Sequence, residues 1–322
     1  MYHIIINPAS RSGHGMQIWK SLLPIIEYKK VNYKAYFTKK CGDAAFIADK
    51  IATMNPSLQG IQLIVLGGDG TLNEVLQGIH DYEHTLIGYI PTGSSNDFAR
   101  DLGISSDPAT ALTNILEKTT IKQLDLGLLT YKNGIVLNSD TSVIDSSYER
   151  RLFNVSSGIG FDAAVCEQAL SSKIKRTCNH LGLGKLSYLG IALTKLLQNK
   201  PVSCDVYLDD SAPIHYDNLL FAAAMIHKYE GGGFMFCPNA DASDQRLDLC
   251  IAHDITFSRA ARILPTAFSG KHIDFSEVSI LQAHTIRFCS STPLLVHTDG
   301  EVYVSTSEII WEIYEQKITF VY

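Results

Sequence analysis

The 322-residue sequence has no apolar run approaching the roughly 18–20 residues that cross a bilayer. The stretch LLFAAAMI at 219–226 is only strand or core length. MYHIIINP at the start holds one apolar strand with no basic stretch ahead of it, unlike a signal peptide. C-x-x-C is also missing. Seven cysteines (41, 166, 178, 204, 237, 250, 289) lie dispersed, and such an odd set reads as reduced thiols, not a disulfide framework. Cys178 and His180 lack a second pair at ligand spacing, so no zinc site is suggested. Neither G-x-x-x-x-G-K-[ST] nor G-x-G-x-x-G occurs, which excludes the two commonest nucleotide loops. The net charge of -6 gives no electrostatic draw toward nucleic acid or an anionic membrane. The expectation is a soluble, cytoplasmic protein with no nucleic-acid partner.

What is present is a globular composition, 46% apolar and 19% charged, in a chain long enough for two domains. Through residue 125, strand patterns at 2–6, 32–38, 61–66 and 85–90 alternate with helical ones at 17–28, 43–54, 71–80 and 95–102. That alternation predicts an α/β domain, a parallel sheet with helices on both faces. After Leu126 strands dominate, at 135–137, 152–155, 202–208, 218–225 and 247–252, with helices at 162–171 and 186–198. A mostly β second domain is expected over 126–302, with the segment from about 303 to 322 returning to the first domain 1–125. Residues 139–150 read as a hairpin excursion or loop.

Chemistry concentrates in three loops at the carboxyl ends of predicted strands. In LIVLGGDGTLNEVLQGI (63–79), Thr71 and Glu74 have the spacing of a capping box. The glycines let a ligand approach the backbone, and a helix N-terminus suits phosphate. Alone, such a G-x-G is more often just a tight βα turn. Asp69 among phosphate-directed amides makes sense with a cation between the acid and the phosphate. NPASRSGHG (7–15) offers Arg11, and PTGSSNDFAR (91–100) follows the strand ending at Ile90. Ligands of open α/β sheets gather at this edge, so three converging loops favour a binding crevice.

GGDGTLNEV, then P-x-G-[ST]-x-NDFAR, then LDLG at 124–127, resembles the catalytic domain of the diacylglycerol kinase family, specifically its soluble bacterial lipid kinases. NPASRSG, TKKCGDA (38–44), SGIGFDA (157–163), LGKLSYLG (183–190), CPNADASDQRLDL (237–249) and TDGE (298–301) extend the likeness over almost the whole chain. The resemblance implies a two-domain ATP- and Mg2+-dependent kinase of a lipid hydroxyl, most simply diacylglycerol to phosphatidic acid, working peripherally at the inner membrane surface. It assigns the nucleotide to Asn7, Ser10, Arg11, Gly13, Thr38, Gly67, Gly68, Asp69, Gly70, Thr71, Asn73 and Ser94. It maps an acidic network near the phosphates onto Asp69, Asp97 and Asp125. On residues alone, Asp97 is an ordinary first-turn acid and Asp125 a turn residue. Glu301 falls where the family keeps its general base, although D-G-E also suits a simple hairpin turn.

The resemblance also implies a second Mg2+ site at Asp241, Asp244 and Arg246, the arginine through its carbonyl. Here the chain departs from the pattern, because Gln245 stands where glycine is usual and positive φ is needed. Ser94-Ser95 in place of Thr-x is a mild departure. Lys173, Lys175 and Arg176 offer contact with anionic headgroups, or simply a solvated turn. The apolar face of LGKLSYLGIALTKLL most often means core packing. A homodimer is left open. An NAD kinase shares the GGDGT turn, but NDFAR and the terminal TDGE favour the lipid kinase. A catalytically silent lipid or nucleotide sensor of the same fold has only the Asp244-Gln245 departure behind it.

Overall fold

The computed structural model describes residues 1–55, 60–131, 134–136, 149–171 and 202–322. Most of the 139–150 excursion, the helix at 186–198, LGKLSYLG, the basic residues Lys173, Lys175 and Arg176, and the pair Cys178 and His180 lie outside the described residues. Among the described residues, no helix is long and apolar enough to cross a membrane. Two compact units emerge, one of Met1–Leu126 with Glu315–Tyr322, the other of Gly127–Tyr314.

Numbering strands along the whole chain, the first unit holds β1 (Tyr2–Ile6), β2 (Tyr33–Phe37), β3 (Ile61–Gly67), β4 (Thr85–Pro91), β5 (Ile121–Leu124) and the last strand, β16 (Ile318–Val321). Their order is β2-β1-β3-β4-β16-β5, parallel except for β5, which runs against β16. Ile4, Ile6, Ile64 and Leu66 bury one face against Trp19, Leu22 and Ile26 of α2 (Gly15–Tyr28) and Leu112 and Ile115 of α6 (Pro108–Glu117). Ile5 and Val65, on the alternate face, are buried as well, which is why these strands read as unbroken apolar runs. Helices α3 (Asp43–Met54) and α4 (Asp69–Gln77) pack on that second face. A single turn, α1 (Ser10–Gly13), follows β1, and α5 (Asp97–Leu102) follows β4.

The sequence pattern passed over α6, although its start is well specified: Asp107 accepts the Thr110 N–H at 2.9 Å and Pro108 opens the first turn. The returning segment is shorter than anticipated. Residues 301–313 form a strand of the second unit, and only Glu315–Tyr322 joins the first, where β16 is an interior strand.

The second unit contains β6 (Gly127–Tyr131), β7 (Ile135–Val136), β8 (Glu149–Phe153), β9 (Ser156–Gly160), α7 (Phe161–Ser171), β10 (Val202–Leu208), β11 (Ile214–Met225), β12 (Leu247–His253), β13 (Val278–Ala283), β14 (Thr285–Thr298) and β15 (Glu301–Ile313). The main path is β13-β12-β11-β10-β14-β15-β6-β8. Strand β11 pairs with β10 through its first half and β9 through its second, and β14 does the same. Register shifts at Leu219/Phe221 and between Cys289 and Leu294 accompany the change of partner, as bulges that bend a strand allow. Trp311, fully buried, donates its indole N–H to Ser157 Oγ at 2.8 Å, and Ser157 donates to the His297 carbonyl at 2.7 Å.

Phe320 of β16 is 1% exposed and packs against Phe98 with the rings tilted and their centroids 4.7 Å apart. Phe320→Ala should therefore cost about 3–5 kcal/mol, as buried Phe truncations do. A lowered urea midpoint for the first unit checks this, and a loss below about 1 kcal/mol would show that the returning strand is dispensable.

Candidate functional site

In the first unit the three loops are tied into one edge. Asn7 Nδ2 donates to Thr71 Oγ1 at 3.0 Å, joining the loop after β1 to the start of α4. Ser10 Oγ lies 2.8 Å from Thr92 Oγ1, joining the first loop to the loop after β4, and Thr92 N donates to Gly67 O at 2.7 Å. Gly68 and Gly93 approach so closely that a Cβ on Gly93 would meet Gly68 Cα at 2.7 Å. Thr38 sits beside this edge, its N–H on Ile6 O at 3.0 Å. Arg11, Gly13 and Ser94 are exposed, whereas Ser10 and Asn73 are buried. The Thr71–Glu74 capping box does not form. Helix α4 begins at Asp69, with Gly68 as its N-cap and no side-chain cap bond. Thr71 instead receives Asn7, and Glu74 Oε2 accepts the Ala44 N–H of α3 at 3.1 Å.

Asp69 and Asp97 are brought together: Asp69 Oδ2 accepts the Asp97 N–H at 3.1 Å. The Tyr89 hydroxyl donates to Asp69 Oδ1 at a long 3.4 Å; burial first, then the Asp69 charge, push this phenol well up, so it stays a donor. The Arg100 guanidinium lies 3.5 Å from Asp97 Oδ1. A carboxylate fixed by an amide, among uncapped N–H groups at a helix start, is a donor set into which a phosphate with its divalent cation fits. Asp125 is not brought into this network. Because β5 is antiparallel, Leu124 lies level with Ile318 and the beginning of β4, roughly 20 Å along the strands from the loop edge at ~3.3 Å per residue. There Asp125 pairs with Lys317 at 2.8 Å.

In the second unit, the Asp241–Arg246 loop keeps the left-handed conformation without a glycine: Gln245 has φ 62°. The sequence-based doubt about this loop is thus answered for its backbone. Asp241 Oδ1 accepts the Ser243 N–H at 3.0 Å, and Asp244 Oδ1 accepts the Arg246 N–H at 2.9 Å. Burial, with the charges of Asp244 and Asp241, raises the neighbouring Asp248 carboxyl to about 6. Three acids held this close suit a cation, which relieves their repulsion.

Glu301 is half-buried and opens β15 directly after a two-residue turn in which Asp299 (φ 49°) and Gly300 (φ 81°) are both left-handed, the I′ geometry that Asp-Gly favours. Next to this turn lies a buried group that the sequence reading missed. Asp162, Cys166, Glu230 and His297 bring ligand-type atoms within 4.8 Å of one another. Their sequence separations, apart from the i,i+4 pair on α7, carry no local signal; only the fold assembles them. Tyr89, Thr92 and Lys317 were missed for the same reason. The unit also holds an apolar cavity of about 50 Å³ lined by Phe161, Phe221, Phe236, Ala252, Ile263 and Val278 among others.

The chain thus joins a phosphate-suited α/β edge to a β-rich unit bearing acidic loops. The chain matches the model described as diacylglycerol kinase catalytic domain over residues 1–129 and the YegS C-terminal NAD kinase beta sandwich-like domain over 155–315, and it belongs to this family. It is 29% identical over 303 residues, 92% of this chain and 84% of the other, to a protein of Staphylococcus epidermidis named diacylglycerol kinase. A crystal structure of a diacylglycerol kinase from Bacillus anthracis shares its fold with a TM-score of 0.68 at 18% identity, covering 100% and 96% of the two chains. An NAD kinase of Archaeoglobus fulgidus in complex with ATP shares it more distantly, at 0.50 and 12%, covering 100% and 94%. The family and its named relatives support a lipid kinase.

Asp248 gives a test of the acidic loop. A carboxyl whose folded pKa of about 6 exceeds the unfolded ~3.9 stabilises the fold while protonated and loses that contribution as pH rises through 6. In chelator, Asp248→Asn should therefore melt higher than the parent at pH 7.5 and no higher at pH 4, by scanning calorimetry.

Proposed function

We propose that the protein is an ATP- and Mg2+-dependent lipid kinase that phosphorylates the hydroxyl of diacylglycerol to give phosphatidic acid. The observation that carries this reading is Asp69, pinned by the Asp97 amide within an edge made of three mutually bonded loops. Asn7, Ser10, Arg11, Gly13, Thr38, Gly67, Gly68, Gly70, Thr71, Asn73 and Ser94 bind ATP there, Arg11 meeting a phosphate and the glycines admitting it close to the backbone. Asp69 and Asp97 orient the metal–phosphate group. When bound, Mg2+ neutralises charge that builds on the transferring phosphoryl group. Asp125, salt-bridged to Lys317 at the far edge, is left out of this set as a structural pair.

Glu301 accepts the proton of the lipid hydroxyl as that oxygen bonds to the γ-phosphorus; the bond from the γ-phosphorus to the bridging oxygen breaks, and ADP leaves. Asp241, Asp244 and the Arg246 carbonyl hold a second Mg2+ that stiffens the second unit. The apolar cavity offers an acyl chain a greasy wall, although about 50 Å³ admits one only if side chains part. An acceptor of this kind brings the protein transiently to the cytoplasmic face of a membrane.

Purified protein with ATP, Mg2+ and diacylglycerol in mixed micelles should form phosphatidic acid. Glu301→Gln should lower turnover by about 10²–10⁴-fold with ATP binding retained. A panel of labelled-ATP reactions with monoacylglycerol, sphingoid base, polyprenol and NAD reads the acceptor; phosphorylation of NAD alone would sink the lipid kinase. ATP binding with no transfer to any acceptor would point to a silent sensor.

A further inference from the structure

The turn that presents Glu301 is held by three sets of bonds within the second unit. Asp299 accepts the N–H groups of Asn154, Val155 and Ser156 at 3.0, 2.8 and 3.0 Å. Arg151 of β8 donates Nε–H to Thr298 Oγ1 at 2.9 Å while its guanidinium stacks 3.5 Å above the Tyr303 ring. The third grip is His297, with no exposed surface. Its Nε2 lies 2.6 Å from Asp162 Oδ2 and 3.2 Å from Glu230 Oε1, and its Nδ1 accepts the Gly300 N–H at 3.2 Å. The imidazole thus spans from the first turn of α7 to the amide one residue before Glu301.

Packing leaves this bridge little freedom. A Cβ at Gly158 would lie 2.1 Å from Asp162 Oδ2 and 2.5 Å from His297 Nε2, so only glycine lets β9 run past the pair. The same four-residue group with Cys166 has metal-ligand chemistry. Against a metal stands the ring's own bonding. A metal-bound neutral histidine carries its proton on the other nitrogen, and here that nitrogen faces an N–H donor. The proton belongs on Nε2, donated to Asp162. Burial opposes a second proton on the ring, and the Gly300 N–H aimed at Nδ1 leaves no place for one; Asp162 and Glu230 draw the pKa up, yet this bonding is that of the neutral ring.

We propose that Asp162 and His297 are positioning residues for phosphoryl transfer, a buried strut that sets the orientation of Glu301 through the Gly300 amide. This rests on the reading of Glu301 as the base. His297 has no exposed surface and Asp162 is buried, so on this reading their effect passes through Glu301.

The test is a double-mutant cycle on the full chain with ATP, Mg2+ and diacylglycerol micelles. Asp162→Ala should lower kcat by about 10–100-fold, the scale of a ~1 Å misplacement, with KM for ATP unchanged. Asp162→Asn keeps an acceptor for Nε2–H and should restore most of that loss. His297→Gln keeps a donor toward Asp162 but offers nothing to the Gly300 N–H, and should lose about tenfold in kcat while melting near the parent. Combined with Glu301→Gln, Asp162→Ala should cost nothing further, because both act on one step. Full additivity in the double variant overturns the strut, as does parental kcat in His297→Gln. Should Asp162→Ala not fold, His297→Gln paired with Glu301→Gln closes the same cycle. Unimpaired turnover in Glu301→Gln removes the base assignment itself, a separate outcome read from that single variant. Stoichiometric zinc in protein purified without chelator, measured by inductively coupled plasma mass spectrometry, also overturns the strut.

Discussion

The interaction on which the first unit's chemistry depends is one carboxylate held by one amide: Asp69 Oδ2 on the Asp97 N–H at 3.1 Å. Each residue opens a helix, α4 and α5, so the acid sits where two helix dipoles favour negative charge. The bond also fixes the loop after β3 to the loop after β4, in parallel with Thr92 N on Gly67 O. Through Ser10 and Asn7 the loop after β1 joins them. Three loops that move separately would each lose entropy on meeting a nucleotide. Bonded beforehand, they make one preorganised edge, and that loss is taken during folding.

The second unit applies the same logic with different parts. The carbonyl of His297 receives Ser157, its ring carries Asp162 and Gly300, and Trp311 locks Ser157 from the side. A two-residue turn alone would leave Glu301 on a hairpin tip, free to rock. Buried polar networks of this kind specify a single arrangement to the extent that their members are matched, and here the matched bonds cross β9, β14, β15 and α7.

The parallel strands up to β4, the covering helices other than α6 and the three loops were legible in the sequence because each has a local signature: apolar runs, period-3.6 spacing and glycine-bearing turns. Partners were not. Thr71 and Glu74 have capping-box spacing, yet Asn7 and Ala44, 64 and 30 residues away, claim them. Asp125 follows a strand whose antiparallel direction no short pattern announces, and that direction alone carries it away from Asp69 and Asp97. His297 sits two residues before an Asp-Gly turn, but its partner Asp162 is 135 residues earlier. What is fixed by spacing is readable; what is fixed by topology is not.

Left-handed backbone at residues other than glycine shows how such positions are supported. A side chain in this conformation costs roughly 1–2 kcal/mol. Asn96 (φ 51°) bonds the N–H and carbonyl of Gly93, and Asp299 (φ 49°) takes three amides at once, charged bonds worth about 1.5–3 kcal/mol each. Both are over-supported, so both turns are rigid. Gln245 (φ 62°) belongs to an exposed loop in which Asp244 braces the chain through the Arg246 N–H and Gln282. Solvent weakens those bonds, and the crowding of Asp241, Asp244 and Asp248 works against them. On the proposed reading, a cation drawn by Asp241 and Asp244 supplies the attraction that glycine's absence makes necessary, which ties the order of this loop to Mg2+ more closely than a glycine would.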